Sequence, residues 1–166
     1  MYRKIKDFQG VWDYEASETL KIFNGLTDES LNQKVTENGR SLGFLAWHIV
    51  TTIEEFFASA GIKIDGAKPS AETPNTVAEI VAEFEKAVKS LNEELPKHWQ
   101  DENLTDKIPM YGETWTKGFA LTCFLMHAAH HRGQMTILMR QAGLKVHGVY
   151  GPAKEEWEAM GMAALA

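Results

Sequence analysis

Only one cysteine, Cys123, stands among the 166 residues, so no disulfide can form within the chain and a four-cysteine zinc site is excluded. Blocks of Lys or Arg are missing as well. The formal charge is −6 and the pI about 5.5, whereas a duplex-binding surface needs a concentrated basic patch to displace counterions from phosphate. Nucleic acid is therefore not an expected partner. No apolar run is long enough to cross a bilayer. The least polar stretch, residues 118–129, is too short and leads straight into histidines. The opening Met1-Tyr2-Arg3-Lys4-Ile5-Lys6-Asp7 turns polar before an apolar signal core could form. The sequence thus predicts a cytoplasmic protein with no membrane partner. Convincing strand alternation, internal repeats and domain linkers are absent too.

What is present is helical periodicity, in four long segments. The first covers about residues 7–26, with Phe8, Trp12, Thr19, Phe23 and Leu26 at three- and four-residue steps. The second covers 42–59, where Phe44, Trp47, His48, Thr51 and Glu55 trace one face. A loop rich in small and turn-forming residues follows, to Pro74. Thr76 with Glu79 three residues on fits a capping box. From there Val77, Ile80, Val81, Phe84, Ala87, Val88, Leu91 and Leu95 form a stripe through to Pro96. Glu83, Glu85, Lys86 and Lys89 make its solvated face. Residues 97–114 read as a connection, 114–141 as a fourth helix stopped by Gly143, and 154–160 as a short helical turn. Four helices near 30 Å each, in a chain of this length, predict an all-α four-helix bundle with long connections, its topology left open.

The chemistry concentrates in the fourth segment. His127 and His131 are four apart, about 40° around a helix axis and one turn along it, so both imidazoles can reach one ion. Zinc enzymes use the same spacing, but a zinc protease places Glu directly after the first His. Here that residue is Ala128, so the protease reading fails. Two ligands hold a metal weakly. His48, in the apolar string Phe44-Leu45-Ala46-Trp47-His48-Ile49-Val50, is the best third, because a buried imidazole needs a partner. His130 points about 100° from His131, and His98 and His147 fall in expected connections. Taken alone, an i,i+4 pair is more often structural, and a lone core histidine more often hydrogen-bonded. Cys123 shares the face of His127, yet a free cysteine is commonly a small buried hydrophobe. Gln134 could orient a ligand or serve a helix contact.

The string His127-Ala-Ala-His130-His131-Arg132-Gly133-Gln134, with Arg140-Gln141-Ala142-Gly143 after it, resembles the last core helix of the DinB family. Leu45-Ala46-Trp47-His48-Ile49 is similar to that family's histidine-bearing second helix. The resemblance covers nearly the whole chain and implies one DinB-like domain over 1–166. It also implies a divalent ion, nickel or zinc, on His48, His127 and His131, in a bundle that forms a homodimer. Arg132, Gly133 and Gln134 match the motif without being ligands. Relatives include enzymes that transfer low-molecular-weight thiols such as bacillithiol. The reaction does not transfer with the fold.

Three neutral imidazoles leave an open coordination position, the pattern of a catalytic site. That position can activate water, giving hydrolysis, or hold a thiol as its thiolate, giving attack on an electrophile. The sequence favours the thiol and a small-molecule substrate, because no carboxylate stands out as a hydrolytic base; Glu55 is the best substitute. Trp47, Phe44 and Phe124 are expected to floor the pocket. The competing class is a non-catalytic bundle locked by its metal.

Overall fold

In the computed structural model, residues 2–163 are described. Four helices dominate: α1 (Ile5–Asn24), α2 (Leu42–Ser59), α3 (Val77–His98) and α4 (Lys117–Gln141). Each start is held by a side chain that answers a free backbone N–H. Ser41 Oγ accepts from the Phe44 amide at 3.1 Å and Thr116 Oγ1 from the Phe119 amide at 3.2 Å. Asp101 Oδ1 accepts from the Ile5 amide at 2.8 Å, across 96 residues of sequence. At α3, Thr76 Oγ1 accepts from the Glu79 amide and donates to the Glu79 carboxylate.

Helix α1 packs against α3 and α4, and α2 packs against the same two. The order around the bundle is therefore α1–α3–α2–α4, with α1 and α2 on a diagonal. One hydrophobic cluster joins all four. Its centre is aromatic: Trp12 of α1 lies 5.0 Å from the Phe124 ring of α4, and Phe57 of α2 also lies 5.0 Å from it. Phe84 of α3 completes the contact with Trp12 at 6.3 Å. No helix among the described residues is long and apolar enough to cross a membrane.

Three local expectations change. The connection at 97–114 is not free of strands: β1 (Lys107–Met110) and β2 (Glu113–Thr116) form an antiparallel hairpin against α4. Its two-residue turn is Tyr111-Gly112, both with positive φ, as a tight hairpin requires. Asn-Gly is the usual signal there, and Pro109 in a four-residue strand hides the pattern further. Helix α3 continues through Pro96, so His98 is its last residue and lies outside the connection. Proline removes the amide that would bond the Asn92 carbonyl, and Gln9 Nε2 donates to that carbonyl instead, at 3.0 Å. The 154–160 stretch forms two short 3₁₀ turns, Lys154–Glu156 and Glu158–Met160.

Beside the aromatic centre lies a buried charge. Arg132 is 2% exposed and Glu15 6% exposed. The guanidinium donates to the Glu15 carboxylate, to the Glu15 carbonyl at 2.9 Å and to Thr19 Oγ1 at 2.9 Å. Tyr150 adds its hydroxyl to the same carboxylate at 2.8 Å, which ties the C-terminal segment to α1. Removing one partner of such a pair leaves a buried charge unanswered, at a cost of about 3–5 kcal/mol. Arg132→Met should therefore lower unfolding stability by about that amount in urea titrations. Adding Glu15→Met should restore a substantial part. A double variant as unstable as the single one would contradict this account.

Candidate metal centre

His48 comes from α2, and His127 and His131 come from one face of α4. Phe56 packs on Phe124 while His48 meets His127 and His131, so α2 and α4 run antiparallel along a shared seam. Across that seam the three imidazoles offer nitrogens that all lie within 4.8 Å of one another. His48 Nε2 is 3.3 Å from His127 Nε2, and His131 Nε2 is 3.1 Å from the same atom. Ligand nitrogens about 2.0–2.1 Å from one ion stand about 3.3 Å apart at tetrahedral angles and about 2.9 Å apart at right angles. The two spacings to His127 fall in that interval and the third nitrogen pair lies within 4.8 Å, so the donor set can be gathered on a single transition-metal ion.

The surroundings keep the donors neutral. His131 Nδ1–H donates to Gln134 Oε1 at 2.8 Å, which fixes its tautomer and leaves the Nε2 lone pair pointing at the other two rings. Gln134 spans outward to the exposed His130, its Nε2 standing 3.2 Å from His130 Nε2. Phe44 stacks on the His48 ring, at 6.0 Å and 13° between planes. Burial, then the neighbouring His131 and His48, lower the His127 pKa to about 4. Burial is the first cause of the downward shift of His48 as well, followed by His131 and Arg40. His131 is also lowered, first by burial, against a raising contribution from Gln134.

A cleft of about 340 Å³ opens beside the centre, lined by His48, Thr52, Glu55, Phe56, Tyr111, Trp115, Cys123 and His127. Its wall differs from the expected one. Trp47 is buried with its Nε1–H on the Ala71 carbonyl at 3.1 Å, and Phe124 belongs to the central core. Phe44, 40% exposed, covers the His48 ring and stays out of the cleft. Phe56, Tyr111 and Trp115 supply the aromatic surface instead; Tyr111 falls in the expected connection, and Trp115, expected at the start of the fourth helix, lies in β2. Both Glu55 and Cys123 reach the cleft, as their helical phase suggested. Burial pushes the Cys123 thiol pKa up, so it is not poised as a thiolate. His130, His98 and His147 lie outside the cluster.

Two expectations follow. His48→Ala, His127→Ala and His131→Ala should each abolish stoichiometric nickel or zinc binding, whereas His130→Ala and His98→Ala should retain it. Gln134→Leu should weaken binding about 10–100-fold through its loss of hold on His131. Metal analysis of the purified histidine and Gln134 variants checks this. The second expectation concerns acid. With folded-state pKa values below the ordinary 6.5, the metal-free unfolded chain binds more protons than the folded one. The histidine contribution to stability is present above pH 6.5 and is lost as the pH falls through about 4. His127→Ala should flatten the acid-side fall of the melting temperature of the metal-free protein. An unchanged slope would mean that His127 is not held neutral by its surroundings.

The fold and sequence are similar to those of known proteins. The uncharacterized protein YrdA of Bacillus subtilis is 37% identical over 164 residues, covering 99% of this chain and 98% of YrdA. A DinB-like protein of Bacillus cereus superposes with a TM-score of 0.82 at 37% identity, covering 90% of this chain and 100% of that one. YfiT of Bacillus subtilis, a probable metal-dependent hydrolase with an unusual four-helix bundle topology, shares the fold. Its TM-score is 0.61 at 15% identity, covering 84% of this chain and 88% of YfiT. Residues 1–163 match the DinB family, and the chain belongs to it.

Proposed function

We propose that His48, His127 and His131 hold one divalent transition metal, nickel or zinc, in an enzyme that transfers a low-molecular-weight thiol to an electrophile. The observation that carries this reading is the convergence of three neutral imidazoles beside an aromatic cleft. When bound, the ion would supply positive charge that favours the anionic form of a thiol. No carboxylate bonds the three rings among the described residues. The orienting partner of His131 is the neutral amide of Gln134, so the ligand set brings no negative charge of its own.

The residues around the centre divide the remaining work. Phe56, Tyr111 and Trp115 exclude water from an apolar or aromatic electrophile. Glu55, in the same cleft, accepts the proton that the thiol loses. Transfer forms a sulfur–carbon bond while the leaving group departs with its electron pair and is protonated by solvent or by the acid form of Glu55.

A second reading is hydrolysis. Glu55 would then accept a proton from the attacking water, and its presence in the cleft favours this reading more than the sequence did. The likeness to YfiT points the same way. The two readings part on one measurement. Cobalt-substituted Cys123→Ala protein, which removes the protein's own thiol, should develop a sulfur-to-metal charge-transfer band when a small thiol is added. Proton release should accompany it. If no band appears but a simple ester is cleaved in a metal-dependent way, hydrolysis replaces thiol transfer. If Cys123→Ala loses the metal, the site is a mixed sulfur–nitrogen one and the three-histidine reading falls.

A further inference from the structure

A second cleft, of about 290 Å³, continues the α2–α4 seam beyond the histidines. Because the two helices are antiparallel, the sequence numbers order the seam. Thr52, Glu55 and Cys123 lie on one side of the three histidines, and Leu45, Gln134 and Leu138 lie on the other. The far cleft is apolar apart from Gln134 and Arg40. Gln134 connects it directly to the centre through the His131 bond. Arg40 lies just before α2, and its guanidinium is 5.0 Å over the Phe44 ring, which itself stacks on His48.

Arg40 has no carboxylate partner among the described residues, whereas Arg132 and Arg140 are each paired with one. Stacking on Phe44 covers one face of the guanidinium plane and leaves its edge donors free. A divalent ion on three neutral ligands would carry uncompensated positive charge, and Arg40 adds another cation in the adjoining cleft, a combination that favours a bound anion. The far cleft holds no second cation. One planar fork suits a carboxylate, while a phosphate dianion calls for more positive charge.

We propose that Arg40 is a substrate-binding residue, and that the small molecule taken by this centre carries a carboxylate that Arg40 holds in the Gln134-side cleft. The aromatic cleft is then left for the electrophile. This inference rests on the metal–thiol reading above and adds the chemical class of the thiol.

The test uses cobalt-loaded Cys123→Ala protein titrated with 3-mercaptopropionate and with 3-mercaptopropionamide, followed by the charge-transfer band. The carboxylate should half-saturate at a concentration about tenfold or more below that of the amide, as a charge-assisted bond to Arg predicts. Arg40→Gln in that background should bring the two within about twofold, a neutral amide having no charge to offer. Arg40→Lys should keep part of the preference. Equal half-saturation in the parent, or a preference that survives Arg40→Gln, overturns the proposal. If neither thiol gives a band, the thiol reading fails, and calorimetry of zinc-loaded protein with succinate and succinamide decides Arg40 independently. Succinate binding that Arg40→Gln removes keeps the carboxylate site. Absence of succinate binding, or equal binding by Arg40→Gln, ends it.

Discussion

Helix α4 must satisfy two neighbours with adjacent residues, and the rotation of this helix about its axis governs everything else at the centre. His131 looks toward α2, where its ring meets His48, and Arg132, about 100° further round, looks toward α1. The guanidinium is fixed by donating to a carboxylate, a carbonyl and a hydroxyl of α1. A rotation of α4 large enough to turn the imidazoles away would break those bonds inside the core. Compared with apolar packing, a buried ion pair contributes little net stability, because both charges lose their hydration. Its value here is angular. A stripe of apolar side chains tolerates a slipped or rotated helix, and a directed hydrogen-bond network does not.

The same logic extends to α2. His48 sits two turns from the helix start, and the Ser41 cap with the buried Leu42, Leu45 and Ile49 sets where that turn falls. Phe44 then covers the imidazole on its outer side. Burial of the three rings disfavours protonation, so the lone pairs stay available at neutral pH. The arrangement is costly for an isolated chain, since three nitrogens converge with few protons to share. Such convergence is what a coordinated ion relieves.

The helices and the convergence of the three histidines were legible in the sequence, the first from periodicity and the second from helix phase and context. His127 and His131 share a face by arithmetic, and His48 stood out as a polar group within an apolar string. Arg132 was not legible in the same way. One residue in a motif gives no hint that its partner, Glu15, lies 117 positions earlier. The hairpin escaped for a local reason: four-residue strands carry too little alternation, and Tyr-Gly is a poor advertisement for a tight turn. Pro96 misled because the compensating donor, Gln9, is on another helix. Arg40 gave no sequence signal at all, since it precedes a helix like any solvated residue and gains meaning only beside Phe44 and Gln134.

The hairpin shows why those long-range details bear on chemistry. Tyr111 is the one non-glycine residue with a left-handed backbone among the described residues, at φ 51°. Side chains resist that region, and such strain persists only where surrounding structure over-determines it. Here β1 and β2 pair on either side, Met110 is buried, and the Tyr111 ring packs 6.1 Å from Phe56 and 5.9 Å from Trp115. A glycine at this position would relax the turn yet remove a wall of the cleft. The strained residue therefore lies where a ring is needed to shape the space beside His48 and His127. The bundle positions the nitrogens, and this small appendage, which no helical pattern encodes, supplies two of the rings that wall the cleft beside them.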